Sequence, residues 1–153
     1  MPALDPDIES RRAAMATLAE AAEQELSAGL DRLAVPPFTE LRAPESGLVM
    51  LRGRMGGDGG AFNLGEATVT RAAVRLESGE TGFSYLLGHR PQAARLAALA
   101  DALWQRTELR DAVERRVLAP IRARIEAADR LGAARTAATR VDFFTLVRGE
   151  DAR

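Results

Sequence analysis

The feature that most constrains this chain is a period-two hydrophobic pattern running through its middle third. Between Phe38 and Gly88, apolar and polar residues alternate in short runs, and glycine, proline and serine separate the runs. Successive side chains of an extended strand point to opposite faces, so alternation predicts strands with one face buried. Four runs carry the pattern: 38–43, 48–55, 66–77 and 83–88. Pro44-Glu45-Ser46-Gly47 reads as the first turn, a glycine-rich loop as the second, and 78–82 as the third. Short turns joining strands in series predict an antiparallel meander.

Helical spacing flanks this region. Met15, Leu18, Ala22, Leu26, Leu30 and Leu33 recur at intervals of three or four, which predicts helix over 7–34, as one piece or as two broken near 21–25. Pro36-Pro37 stops it, because proline lacks the amide and clashes with the preceding turn. After the strands, Ala94, Ala97, Ala98, Leu99, Ala102 and Leu103 line one side of a helix from Pro91 to about Arg106. A further helix over 108–118 is expected to break or kink at Pro120 and then to continue to about Thr136. The last stretch, 139–149, is apolar and β-prone. The expected fold is α+β, a four-stranded antiparallel sheet flanked by N-terminal and C-terminal helices, in a single domain over 1–153.

Composition narrows the chemistry. With 46% hydrophobic and 28% charged residues, the 153-residue chain can bury a proper core. A formal net charge of −1 argues against nucleic acid or a polybasic membrane contact, so any anion site must be local. There is no cysteine and one histidine, His89. This excludes disulfides, thiolate catalysis and histidine-rich metal centres, and leaves open a carboxylate magnesium site, for which there is no motif. All basic residues are arginine, which removes Schiff-base lysines and a P-loop lysine. Asp5, Asp7 and Glu9 precede any apolar run, the wrong order for an export signal, and no run of about 18 apolar residues could span a membrane. A cytoplasmic protein is expected.

The glycine loop "RMGGDGGAF" (54–62) invites a phosphate-binding reading, and its spacing argues against one. A dinucleotide fingerprint would follow Gly57 and Gly59 with another glycine, but Phe62 occupies that slot, and a strand follows where a helix is required. Gly60 and Gly65 have P-loop spacing, but Glu66 stands where the lysine must be. A flexible hairpin loop and a lid that approaches a ligand both remain open.

Arginines carry the other signal. Arg52 and Arg54 share one face of a strand, and Arg71 and Arg75 share a face of the next. Given a suitable register, these four guanidinium groups would form a fork for phosphate, phosphonate or a partner's carboxylates. Otherwise they form a solvated face paired with Glu66 and Glu77. His89 has no evident acid partner in the sequence. Glu114 with Arg115 and Arg116, and Glu126 with Arg122 and Arg130, read as ordinary helix-surface pairs. Near the end, Phe143 and Phe144 lie among Arg140, Asp142 and Arg148, a set suited to docking on the chain's own sheet or on another protein.

Three stretches together resemble one family: "GRMGGDGGAFNLGEATVTRAAVRL" (53–76), "GFSYLLG" (82–88) and "TRVDFFTLVRGE" (139–150), with "APESGLV" (43–49) in keeping. They resemble the PhnG subunit family of the bacterial carbon–phosphorus lyase system, in order and over essentially the whole chain. The resemblance implies one part of a multisubunit core complex with PhnH, PhnI and PhnJ. That complex is associated with joining an alkylphosphonate to ATP, the phosphonate displacing adenine at the ribose anomeric carbon. It further implies ATP as a substrate of the complex, no cofactor held by this subunit, and no catalytic residue to carry over. One segment departs from the pattern: where relatives often show G-R-D-K-x-H-A-E, this chain has Gly88-His89-Arg90-Pro91-Gln92-Ala93-Ala94-Arg95. Ala72 stands where many relatives carry cysteine. The leading expectation is an accessory subunit. The alternatives are a free-standing binding domain for phosphorylated metabolites and an independent transferase.

Overall fold

The computed structural model describes residues 6–56 and 58–140. Helices α1 (Pro6–Glu20) and α2 (Glu23–Leu30) lead into three antiparallel strands, β1 (Phe38–Arg54), β2 (Ala61–Leu76) and β3 (Thr81–Leu87), paired in the order β1-β2-β3. Helices α3 (Pro91–Gln105), α4 (Thr107–Val113) and α5 (Ala119–Ala138) follow, with a π-helical turn (Glu114–Leu118) between the last two.

The fold is α+β, but among the described residues the sheet has three strands, which corrects the expected four. The runs 38–43 and 48–55 are one continuous strand, and Pro44–Gly47 is not a turn. β1 is an edge strand, so a proline there need not interrupt a ladder. Extra residues are absorbed by register shifts between Glu40 and Arg42 and between Arg42 and Glu45, which are bulges and not a chain reversal. Beyond the shift, Glu45 pairs with Arg71 and Ser46 with Thr70, and the Ser46 and Thr70 hydroxyls lie 2.9 Å apart.

Alternation then decides which face of the sheet is covered. Thr70, Ala72, Val74 and Leu76 of β2 and Gly82, Ser84 and Leu86 of β3 are buried beneath the helices. The alanine row of α3 lies directly on them: Ala94, Ala97, Ala98 and Ala102 are fully buried. Small side chains on both elements let the backbones approach closely, and at Gly82 there is no room for even a methyl group. Position 82 belongs to β3, not to the preceding turn. The turn itself is Glu77–Glu80, with Gly79 at φ 109°.

The helical layer is stapled by arginines. Between α1 and α2 the chain is extended at Ala22, and the carbonyls of Ala19 and Ala21 accept hydrogen bonds from the Arg90 guanidinium. The Glu25 carboxylate accepts from the Ala22 amide at 2.8 Å, one half of a capping box that alanine cannot complete. The expected break at Pro120 takes another form. The π turn widens the helix, Ala119 donating to the Glu114 carbonyl, and the helix continues through Pro120. This widened turn aims Glu114 inward, where it accepts from Trp104 Nε1 and Arg122, both at 2.7 Å. Glu114 therefore does not pair with its neighbours Arg115 and Arg116. Gly29 lets α2 pack against the same turn, since a Cβ there would meet the Arg116 carbonyl at 2.8 Å.

Two parts project from this body. β3 ends opposite Val69, so residues 61–67 of β2 pair with β1 alone and form a two-stranded arm. Past Ile125, α5 is exposed on every side to the end of the helix.

Candidate functional site

The sheet face turned away from the helices is the most distinctive surface among the described residues. Its centre is apolar: Phe83, Tyr85 and Leu87 of β3 stand half-exposed or more beside the small residues Val69 and Ala73 of β2. Arg71 and Arg75 of β2 lie on this same face, as their spacing requires. Cross-strand pairing sets Arg71 between Glu45 and Tyr85, and Arg75 between Thr39 and Thr81.

Arg71 is anchored by Glu45. Its Nε lies 2.7 Å from Glu45 Oε1, and Arg42 binds the same oxygen. Hydrogen bonds from Arg42 first and Arg71 second hold the Glu45 carboxyl below its ordinary range. Two guanidinium groups on one carboxylate leave a net positive node. Arg75 adds to it further along β2, where its Nε meets Thr81 Oγ1 at 3.4 Å. A cavity of about 180 Å³ opens beside the node, lined by Glu45, Gly47, Val49, Val69, Arg71 and Tyr85 among others. The arrangement suits recognition of a small anion or a partner's acidic group. Ser46 also lines the cavity, its hydroxyl hydrogen-bonded to Thr70 and to His89.

The four-arginine fork does not form. Arg52 pairs opposite Asn63 and Arg54 opposite Ala61, at the far end of the arm. Asn63 lies eight residues before Arg71, about 26 Å away at a rise of ~3.3 Å per strand residue. Arg54 instead reaches the Gly59 carbonyl across the glycine loop. The solvated alternative also needs correcting, since Arg71 and Arg75 meet Glu45 and Thr81 and not Glu66 and Glu77. Sequence reasoning missed Arg42, Glu45 and Tyr85. The bulged β1–β2 register brings Arg42 and Glu45 to Arg71, the regular β2–β3 ladder brings Tyr85, and no local motif announces either.

His89 does have a partner: its Nδ1 lies 2.8 Å from Ser46 Oγ. The network around it fixes who donates. Thr70 Oγ1 gives its proton to the Gly88 carbonyl at 2.6 Å and accepts the Arg90 amide at 2.9 Å. Ser46 must therefore donate to Thr70 and accept from His89 Nδ1–H. A histidine that donates to a serine cannot take that serine's proton, so this pair is a structural clasp between β1 and the β3–α3 connection.

The departures from the expected family pattern fall where side chains are structural. Ala72, Ala93 and Ala94 are buried in the core, and Arg95 pairs with Glu40 and covers the Phe38 ring. On α5, Arg122 belongs to Glu114, and Glu126 keeps only a long contact with Arg130, at 3.8 Å. Arg140 closes the described chain. Asp142, Phe143, Phe144 and Arg148 lie outside the described residues.

Comparison with known proteins adds identity to this geometry. The family model described as "Phosphonate metabolism protein PhnG" matches residues 9–149. A Rhizobium meliloti (strain 1021) protein named "Alpha-D-ribose 1-methylphosphonate 5-triphosphate synthase subunit PhnG" is 51% identical over 148 residues, covering 96% of this chain and 94% of the relative. The match thus extends beyond the family-like stretches to the sheet and the helices alike, and the chain belongs to the PhnG family of phosphonate-metabolism proteins.

Proposed function

We propose that this chain is a non-catalytic subunit of a synthase that joins an alkylphosphonate to the ribose of ATP and releases adenine. Near-full-length identity of 51% to a protein named as a subunit of such a synthase carries the reading. The geometry is in keeping with it: a half-exposed apolar sheet face and a two-stranded arm are surfaces that suit association. The partners in this reading are homologues of PhnH, PhnI and PhnJ, assembled in the cytoplasm. ATP is a substrate of the complex, and this subunit holds no cofactor. Phe143 and Phe144 are assigned to a partner interface with Arg140, Asp142 and Arg148 at its rim.

Co-expression with the three homologues followed by size-exclusion chromatography tests the assembly. The reading requires this chain to elute with the others in a fixed ratio, and separate elution refutes it. A second reading, a free-standing binding domain for phosphorylated metabolites, draws on the arginine node and its cavity. Tight one-to-one ATP binding by the isolated chain would favour that reading over the first.

A further inference from the structure

We propose that the β1–β2 arm is the docking element of this subunit, and that its occupant is a β-strand of another subunit laid along the 61–67 edge of β2. The inference deepens the proposed function and rests on it.

The arm lacks a strand on one of its edges. Gly88, at φ 88°, turns the chain out of β3, so the ladder that pairs β2 on both sides stops there. The last bond on that side joins the Gly88 amide to the Thr68 carbonyl at 2.8 Å. Beyond it, residues 61–67 extend the sheet without a third strand. An open edge of this kind is a template for an added strand.

The side chains point the same way. Leu48 is 63% exposed, Met50 52%, Leu51 42%, Phe62 43% and Leu64 66%. Leu48 and Met50 fall on the helix-bearing side of the sheet, and Leu51 falls on the opposite side. The arm is too thin to bury either set, and a two-stranded hairpin alone is marginal in water. A flat partner would cover one side only. A strand added at the edge continues the sheet and brings side chains to both faces at once.

Charge excludes an ionic partner. Over 48–68 the chain has Arg52, Arg54, Asp58 and Glu66, two of each sign, with three of them near the loop. On the edge itself only Glu66 is charged. The fitting occupant is an extended apolar segment, recognised by its main chain and by alternate side chains.

The test uses the full chain co-expressed with the PhnH, PhnI and PhnJ homologues. Leu48→Asp/Leu64→Asp and the milder Leu48→Ser/Leu64→Ser are compared with Leu131→Asp, at a leucine of α5 that is also more than half exposed. Assembly should weaken roughly tenfold or more in both arm variants, as when apolar anchors are lost from an interface, and stay unchanged in the α5 variant. Amide exchange over 61–67 should slow about tenfold or more when the wild-type chain enters the complex. Each variant's melting curve alone reports its fold, and exposed positions should leave it unchanged. Wild-type assembly with unaffected arm variants, or with equal exchange over 61–67 in free and assembled chain, overturns this inference alone. Failure of the wild-type chain to assemble overturns the proposed function and this inference together.

Discussion

Gly82→Ala is the substitution for which the structure gives the clearest arithmetic. A Cβ built at Gly82 would lie 2.0 Å from the Ala98 carbonyl oxygen, 2.5 Å from the Ala102 amide nitrogen and 2.8 Å from Ala102 Cβ. The first two are backbone atoms inside α3, a helix whose whole inner face is buried. No side-chain rotation relieves the clash, so β3 and α3 must separate. Overpacking of a core typically costs about 1–3 kcal/mol, and the backbone contact places this case at or above the upper end. A domain of this size loses roughly 2–4 °C of melting temperature per kcal/mol, so the expected drop is about 6–12 °C. Gly47→Ala is the control. Nothing lies within 4 Å of its added methyl, and its φ is not positive. There the change should lie within about 1 kcal/mol of neutral, because alanine only restricts the unfolded chain. Thermal unfolding followed by circular dichroism compares the two. If Gly82→Ala melts as the wild type does, the close approach of β3 and α3 is wrong.

Three further outcomes are expected. Arg11→Ala should destabilise by roughly 2–3 kcal/mol in a denaturant titration, below the ~3–5 of a wholly buried pair because Arg11 keeps contact with water. It leaves the buried Asp101 carboxylate with only the Phe83 amide, and Asp101→Asn paired with Arg11→Ala should recover part of the loss. Glu25, held below its ordinary range first by Arg124 and then by the Ala22 amide, stabilises the fold fully above the unfolded carboxyl value of about 4.3; the contribution fades as pH falls through the lower folded value, so Glu25→Gln should flatten the acid limb of a melting-temperature profile. Arg71→Ala in the reconstituted complex should lower assembly or adenine release more than Arg122→Ala, which touches Glu114 and Thr17 on the opposite layer; equal effects would place Arg71 among solvated residues.

Periodicity was legible where one face is buried. The alternation of 66–77 located β2, the α3 alanines declared a helix with one apolar side, and the suspected break near 21–25 is the α1–α2 junction. What escaped was set by tertiary pairing. Pro44 and Gly47 have the composition of a turn, and only their place on an edge strand permits a bulge instead. Pro120 signals a kink, but the π turn that carries the helix past it has no sequence mark. The arginine spacing gave the shared faces correctly and the shared site wrongly, because strand register decides proximity and a pattern of residues does not encode it. The Arg42–Glu45–Arg71 node was invisible for the same reason. The family-like stretches lie mostly on β1 and β2, whose ends run out into the arm. Much of their sequence therefore serves no core of this chain, which is in keeping with a subunit.

This chain works as one part of a synthase and not alone. Adenine release from ATP and methylphosphonate tests it most directly, measured with the chain alone, with the PhnH, PhnI and PhnJ homologues alone, and with all four together. No turnover is expected from the chain alone, and sustained release should rise with its addition to the other three. Sustained release in proportion to this chain alone, or full release by the other three without it, would contradict the account.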